Sequence, residues 1–69
     1  MPITMASPGE PVVIKRVGGN DQTRLFLERL GFVEGATVTV ITEVKGNLIV
    51  NIKESRVAIG KAQANKIFF

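Results

Sequence analysis

The sequence predicts a small, mainly β domain of about five short strands rolled into a barrel, with one short α-helix between the first and second strands. Three observations predict it. Short runs rich in Val and Ile recur along the chain, and those residues suit a half-buried pleated surface. Gly, Pro and Asn separate the runs at Pro8-Gly9, Gly18-Gly19, Gly35 and Gly46-Asn47, as in a chain that turns often. One stretch alone, Asp21 to Leu30, changes to helical spacing. Rolling the sheet up limits the unpaired edges that a flat one would expose.

The elements follow in order. Met1 to Ser7 is expected to be a partly ordered lead-in, and Pro8-Gly9 fits a turn with φ preset by Pro and reversed at Gly. Val12 to Val17 reads as the first strand. Ile14 and Val17 are three apart, so if both face the core a bulge lies near Lys15-Arg16. Asn20 or Asp21 can cap the helix by accepting a bond from a free first-turn amide. At about 100° per residue, Thr23, Phe26, Leu27 and Leu30 share one face and are expected inward, while Arg24, Leu25, Glu28 and Arg29 share the other. Gly31 stands where a left-handed residue ends a helix, and a Schellman stop there would set Phe32 against Leu27.

Gly35 opens a turn into Ala36 to Thr42, with Val38 and Val40 on one face and Thr37 and Thr39 on the other. Lys45-Gly46-Asn47 is a hairpin signal, and Leu48, Val50 and Ile52 line one face of the returning strand. Glu54-Ser55 reads as a second tight turn, Arg56 to Ile59 as the next strand, Gly60 to Lys66 as a single helical turn and Ile67 to Phe69 as a closing strand.

Composition narrows the function. A chain of 69 residues makes one small domain, with a thin core and little room for a deep substrate cleft. The apolar fraction of 45% argues against disorder. No apolar stretch approaches the ~18 residues of a membrane span, and Met1 to Pro11 lacks a basic start and apolar run, so a cytoplasmic protein is the expectation. Cys and His are both absent, which removes disulfides, the usual nucleophile–base pairs and the preferred ligands of transition metals. Ser7 and Ser55 sit in turns with no evident base, and the six carboxylates are dispersed in turns or on the polar helix face. Gly18-Gly19-Asn20 precedes a helix N-terminus but carries neither a Lys-Ser/Thr pair nor the dinucleotide fingerprint. No catalytic, cofactor-binding or metal-binding residue is assigned.

What remains is binding. The net charge of +3 comes from nine basic and six acidic residues that are well mixed. Nucleic-acid recognition calls for a concentrated basic face with aromatics to stack on bases, and here the cations are spread and the aromatics are four Phe. Phe26 and Phe32 are expected in the core. Phe68 and Phe69 end the chain on opposite faces of a strand, so one should be exposed. Leu25 stands among Arg24, Glu28 and Arg29 on the outward helix face. Arg24, Leu25, Arg29, Phe68 and Phe69 are therefore the candidate partner-binding residues.

The run Leu27-Glu28-Arg29-Leu30-Gly31-Phe32-Val33-Glu34-Gly35-Ala36-Thr37-Val38 resembles the L-x-x-L-G-[apolar]-x-x-G-x-x-V signature of the ferrous iron transport protein A family, FeoA. Pro8-Gly9-Glu10 with Ile14 and Val17 is similar to that family's opening strand, and Arg56-Val57-Ala58-Ile59-Gly60 with Ala64 and Ile67 to its closing block. Together the three blocks cover roughly Met5 to Phe69 in the right order. Glu34 departs from the pattern, which often has Pro before the turn glycine. The matching residues Leu27, Leu30, Gly31, Gly35 and Val38 mark the fold and not a binding surface.

The resemblance implies an SH3-like barrel and a cytoplasmic, non-enzymatic accessory to FeoB, the membrane ferrous iron transporter with a cytosolic GTPase domain. A similar domain forms the C-terminal part of some metal-dependent repressors, whose helix-turn-helix and metal ligands this sequence lacks. Two other readings stand beside it: a nucleic-acid-binding small barrel, since Gly35-Ala36-Thr37-Val38-Thr39-Val40-Ile41 is similar to a turn-strand motif of ribosome-associated barrels, and a self-associating SH3-like interaction domain. Recognition of Pro-rich peptides is not expected, because the aromatic groove it uses has no counterpart here.

Overall fold

The computed structural model describes residues 1–69. Six strands form two sheets. They are β1 (Pro11–Val13), β2 (Arg16–Val17), β3 (Thr37–Val44), β4 (Asn47–Ile52), β5 (Ser55–Gly60) and β6 (Ile67–Phe68). Helix α1 (Asp21–Arg29) lies between β2 and β3, and the single turn α2 (Lys61–Ala64) between β5 and β6. The larger sheet has the antiparallel order β1-β3-β4-β5, and β2 pairs with β6 in a ribbon.

The sixth strand arises from the opening one. The expected strand over residues 12–17 is two strands in different sheets. Ile14 still exchanges hydrogen bonds with the turn that enters β3, its N–H to Ala36 O at 2.9 Å and its O from Gly35 N–H at 2.8 Å. One residue later Lys15 N–H donates to Phe68 O at 2.7 Å, in the ribbon. The three-residue spacing of Ile14 and Val17 marks this change of sheet instead of a bulge. The bulge lies in β3 at Ile41, where the register with β4 shifts between Val40 and Thr42.

The core is assembled as the alternation requires. Val38 and Val40 of β3, Leu48, Val50 and Ile52 of β4, and Ile59 of β5 are buried against Ile14, Leu27, Phe32, Ala64 and Ile67. Ile3 joins them with no exposed surface. The segment expected as a partly ordered lead-in is therefore anchored on the domain through Ile3, while Met1, Met5 and Ser7 stay exposed. A 3₁₀ turn over Ile3–Met5 aims Ile3 inward. The segment is also stitched to the C-terminal end: Phe69 N–H donates to Met1 O at 2.7 Å, and Pro2 bridges to Phe68.

The two hairpins turn one residue away from the positions expected. Positive φ falls at Lys45 and Gly46, and again at Lys53 and Glu54, giving two-residue connections of the type that matches strand twist. Asn47 and Ser55 already belong to strands.

Candidate binding surfaces

Helix α1 is bounded by the signals in its sequence. The Asn20 side chain accepts from Thr23 N–H at 2.8 Å. At the other end Phe32 N–H donates to Leu27 O and Gly31 N–H to Glu28 O, both at 3.0 Å, which is the Schellman pair. Gly31 adopts φ +105°, and both Leu27 and Phe32 are fully buried in one core cluster. Gly35 turns at φ +88° and Val38 is buried, while Leu30 is half-buried.

The inward face of α1 is narrower than expected. Leu27 alone is fully buried, and Phe26, expected in the core, is 44% exposed. A helix of nine residues lying over a thin core buries one ridge, and Phe26 sits one residue off it. Phe32, folded back toward Leu27 by the glycine turn, is fully buried as expected. Leu25 is 52% exposed, as its position among charges predicts.

Helical spacing puts Leu25, Phe26 and Arg29 together. Arg29 lies four residues after Leu25 and three after Phe26, so its stem borders both, and Gln22 closes the patch from the preceding turn. Arg24 faces elsewhere, with its guanidinium 2.6 Å from the Asp21 carboxylate in an exposed pair. In the sequence Phe26 completes an apolar set at core spacing, which hides its exposure; its position beside Leu25, with Gln22 and Arg29 on the same side of the helix, is the one local sign of it.

Phe68 and Phe69 belong to a different element. Phe68 pairs with Arg16, so the two side chains share the outer face of the ribbon, and the Arg16 guanidinium lies 4.3 Å from the ring centroid. Phe68 and Phe69 are both half-buried, so neither is the exposed residue that strand alternation predicts, and Phe69 packs on the core. No hydrogen bond or ion pair joins these residues to the α1 patch.

Two further surfaces were not singled out in the sequence. A groove of about 390 Å³ lies between Thr4, Ala6 and Pro8 on one side and Ile41 and Leu48 on the other. The outer face of the large sheet carries Val13, Thr37, Thr39, Thr42, Val44, Ile49, Asn51 and Ala58, and its only charged side chain is Arg56. Thr37 and Thr39 marked this as the solvent side, but its neutrality shows only once the strands are paired. No three carboxylates converge as a metal site. No helix is long and apolar enough to cross a membrane.

The architecture is that of a small SH3-like β domain. The FeoA domain model matches residues 1–69, and the chain belongs to the FeoA family. A provisionally named Fe(2+) transport protein A of Methanocaldococcus jannaschii is 32% identical over 66 residues, spanning 96% of this chain and 80% of that protein. The crystal structure of an iron uptake regulatory protein, FeoA, superposes with a TM-score of 0.88 at 26% identity, covering 97% of this chain and 91% of the other. The FeoA of Stenotrophomonas maltophilia, crystallised with zinc, superposes at 0.83 with 23% identity over 97% of this chain and 86% of its own. That protein is described as a prokaryotic SH3 domain protein and a proposed activating factor of ferrous iron transport.

Proposed function

We propose that this chain is a non-enzymatic accessory protein of ferrous iron uptake that docks on the cytosolic GTPase part of a FeoB-like membrane transporter. The observation that carries this reading is the family match over the whole chain. The surface supports it: Leu25 and Phe26 leave apolar area in solvent around Arg29, a combination enriched where proteins meet. On this reading the protein works in the cytoplasm, at the inner face of the membrane, wherever the transporter holds it.

The test is co-purification with the cognate transporter's cytosolic domain, without nucleotide, with GDP and with a GTP analogue, together with ferrous iron uptake in a deletion strain. Retention in at least one nucleotide state and a deficit in uptake are expected. No retention in any state with normal uptake would refute the reading.

A further inference from the structure

The two edges of the large sheet are unlike. At one, β1 begins with Pro11, which has no N–H, and the chain leaves the sheet at Lys15 for the ribbon. At the other, β5 is terminal and runs from Ser55 to Gly60 with no proline and no bulge. Natural proteins usually blunt such an edge.

The hairpin fixes which groups on this edge are free. The two-residue turn at Lys53-Glu54 makes Ile52 and Ser55 a hydrogen-bonded pair. Alternation then assigns Val57 and Ile59 to bonds with β4, and turns the N–H and C=O of Arg56 and Ala58 away from it. Neither residue's backbone is used in any bond outside the ladder. Gly60 N–H, the next in the series, is already taken by the Gln63 side chain at 3.1 Å. Arg56 and Ala58 are both exposed. The free edge is thus a short, bounded set of donors and acceptors centred on Val57.

We propose that β5 pairs antiparallel with β5 of a second copy about a two-fold axis at Val57, joining the two sheets into one. This set is self-complementary. In the register centred on Val57, Arg56 of each copy lies opposite Ala58 of the other, and both reciprocal pairs of hydrogen bonds form. Centring on Arg56 would set like charges face to face and bring the left-handed Glu54 into the ladder. Centring on Ala58 would oppose Arg56 to Gly60, whose N–H is occupied. The continuous outer face of the joined sheet stays neutral except for Arg56, which faces the small, uncharged Ala58 of the other copy and keeps its guanidinium in water. The contact is small, so the dimer is weak and concentration-dependent.

Sedimentation equilibrium from about 20 μM to about 1 mM tests this, the upper limit being set by the affinity of small interfaces. The wild type is expected to associate reversibly, with Arg56 and Ala58 amide signals shifting in NMR spectra over the same range. Ala58→Glu places a carboxylate opposite Arg56 twice and should tighten the dimer; Ala58→Lys places a like charge there and should loosen it. Each change is about 2- to 30-fold in Kd, in opposite directions. Position 58 is exposed on an edge, so both variants should keep the wild-type circular dichroism. A monomer at every concentration would overturn the proposal and leave the edge to an extended segment of another protein. Association that Ala58→Glu and Ala58→Lys do not move in opposite directions would overturn it equally.

Discussion

Replacing Ile3 with alanine removes a fully buried side chain from a segment whose sequence looks like a loose leader. The 3₁₀ turn that aims it is closed by Met5 N–H to Pro2 O at 2.9 Å and Ala6 N–H to Ile3 O at 3.0 Å. Those bonds do not depend on the side chain, so the backbone stays and a cavity opens under it. Buried Ile→Ala changes cost about 2–5 kcal/mol, and the upper part of that range applies where the site cannot collapse. A chain of 69 residues has a total stability of only about 3–10 kcal/mol. Ile3→Ala should therefore forfeit a large share of it and lower the melting temperature by about 10 °C or more. Urea denaturation measures the change, with Met5→Ala as control. Met5 is 64% exposed in the same turn and its truncation should stay within about 0.5 kcal/mol of wild type. If Ile3→Ala proves as mild as the control, the N-terminal segment is not part of the core and the packing described above is wrong.

Two further predictions concern α1 and are read from the same denaturation experiment. Asn20→Ala removes the acceptor for Thr23 N–H and should cost about 1 kcal/mol, whereas Asn20→Asp, which keeps an acceptor, should cost much less. Gly31→Ala forces a Cβ onto φ +105° and sets it 3.2 Å from Lys53 Cδ, so the Lys53 stem must move aside; a loss of about 1–2 kcal/mol is expected.

The legible parts of this fold were those set by local chemistry. The Asn20 cap, the Schellman stop at Gly31 with Phe32 folded back on Leu27, and the alternation of Leu48, Val50 and Ile52 all depend on neighbours within a few residues. The misread parts depended on distant partners. Ile14 and Val17 face the interior from different sheets because Lys15 finds Phe68, more than fifty residues away in sequence, and no local pattern encodes that. Ile3 is core because the C-terminal strand binds the residues beside it. Phe26 has the spacing of a core residue, but how much of the nine-residue helix the sheet covers is set by tertiary packing, and only Leu27 is fully buried.

The candidate surface was legible in the same uneven way. Leu25 and Arg29 stood out as an apolar residue among charges, and the structure puts Phe26 beside them and turns Arg24 toward Asp21. Phe68 offered itself as a free aromatic, but the cross-strand pairing that sets Arg16 over its ring is long-range. The free backbone edge of β5 has no sequence signature, because it is defined by which strand has no second neighbour.

The proposed docking on a transporter's cytosolic domain would run through the α1 patch, where Leu25 and Phe26 stand in solvent beside Arg29. Calorimetric titration of that domain, in each nucleotide state, with the wild type and with a Leu25→Ala/Phe26→Ala double variant tests it most directly. A measurable heat of binding is expected for the wild type in at least one state. Binding by the variant should be at least about tenfold weaker, the loss expected when central apolar anchors are truncated, with circular dichroism unchanged. Binding by the variant as tight as the wild type's would place the contact elsewhere on the domain. No binding by the wild type in any state would contradict the claim itself.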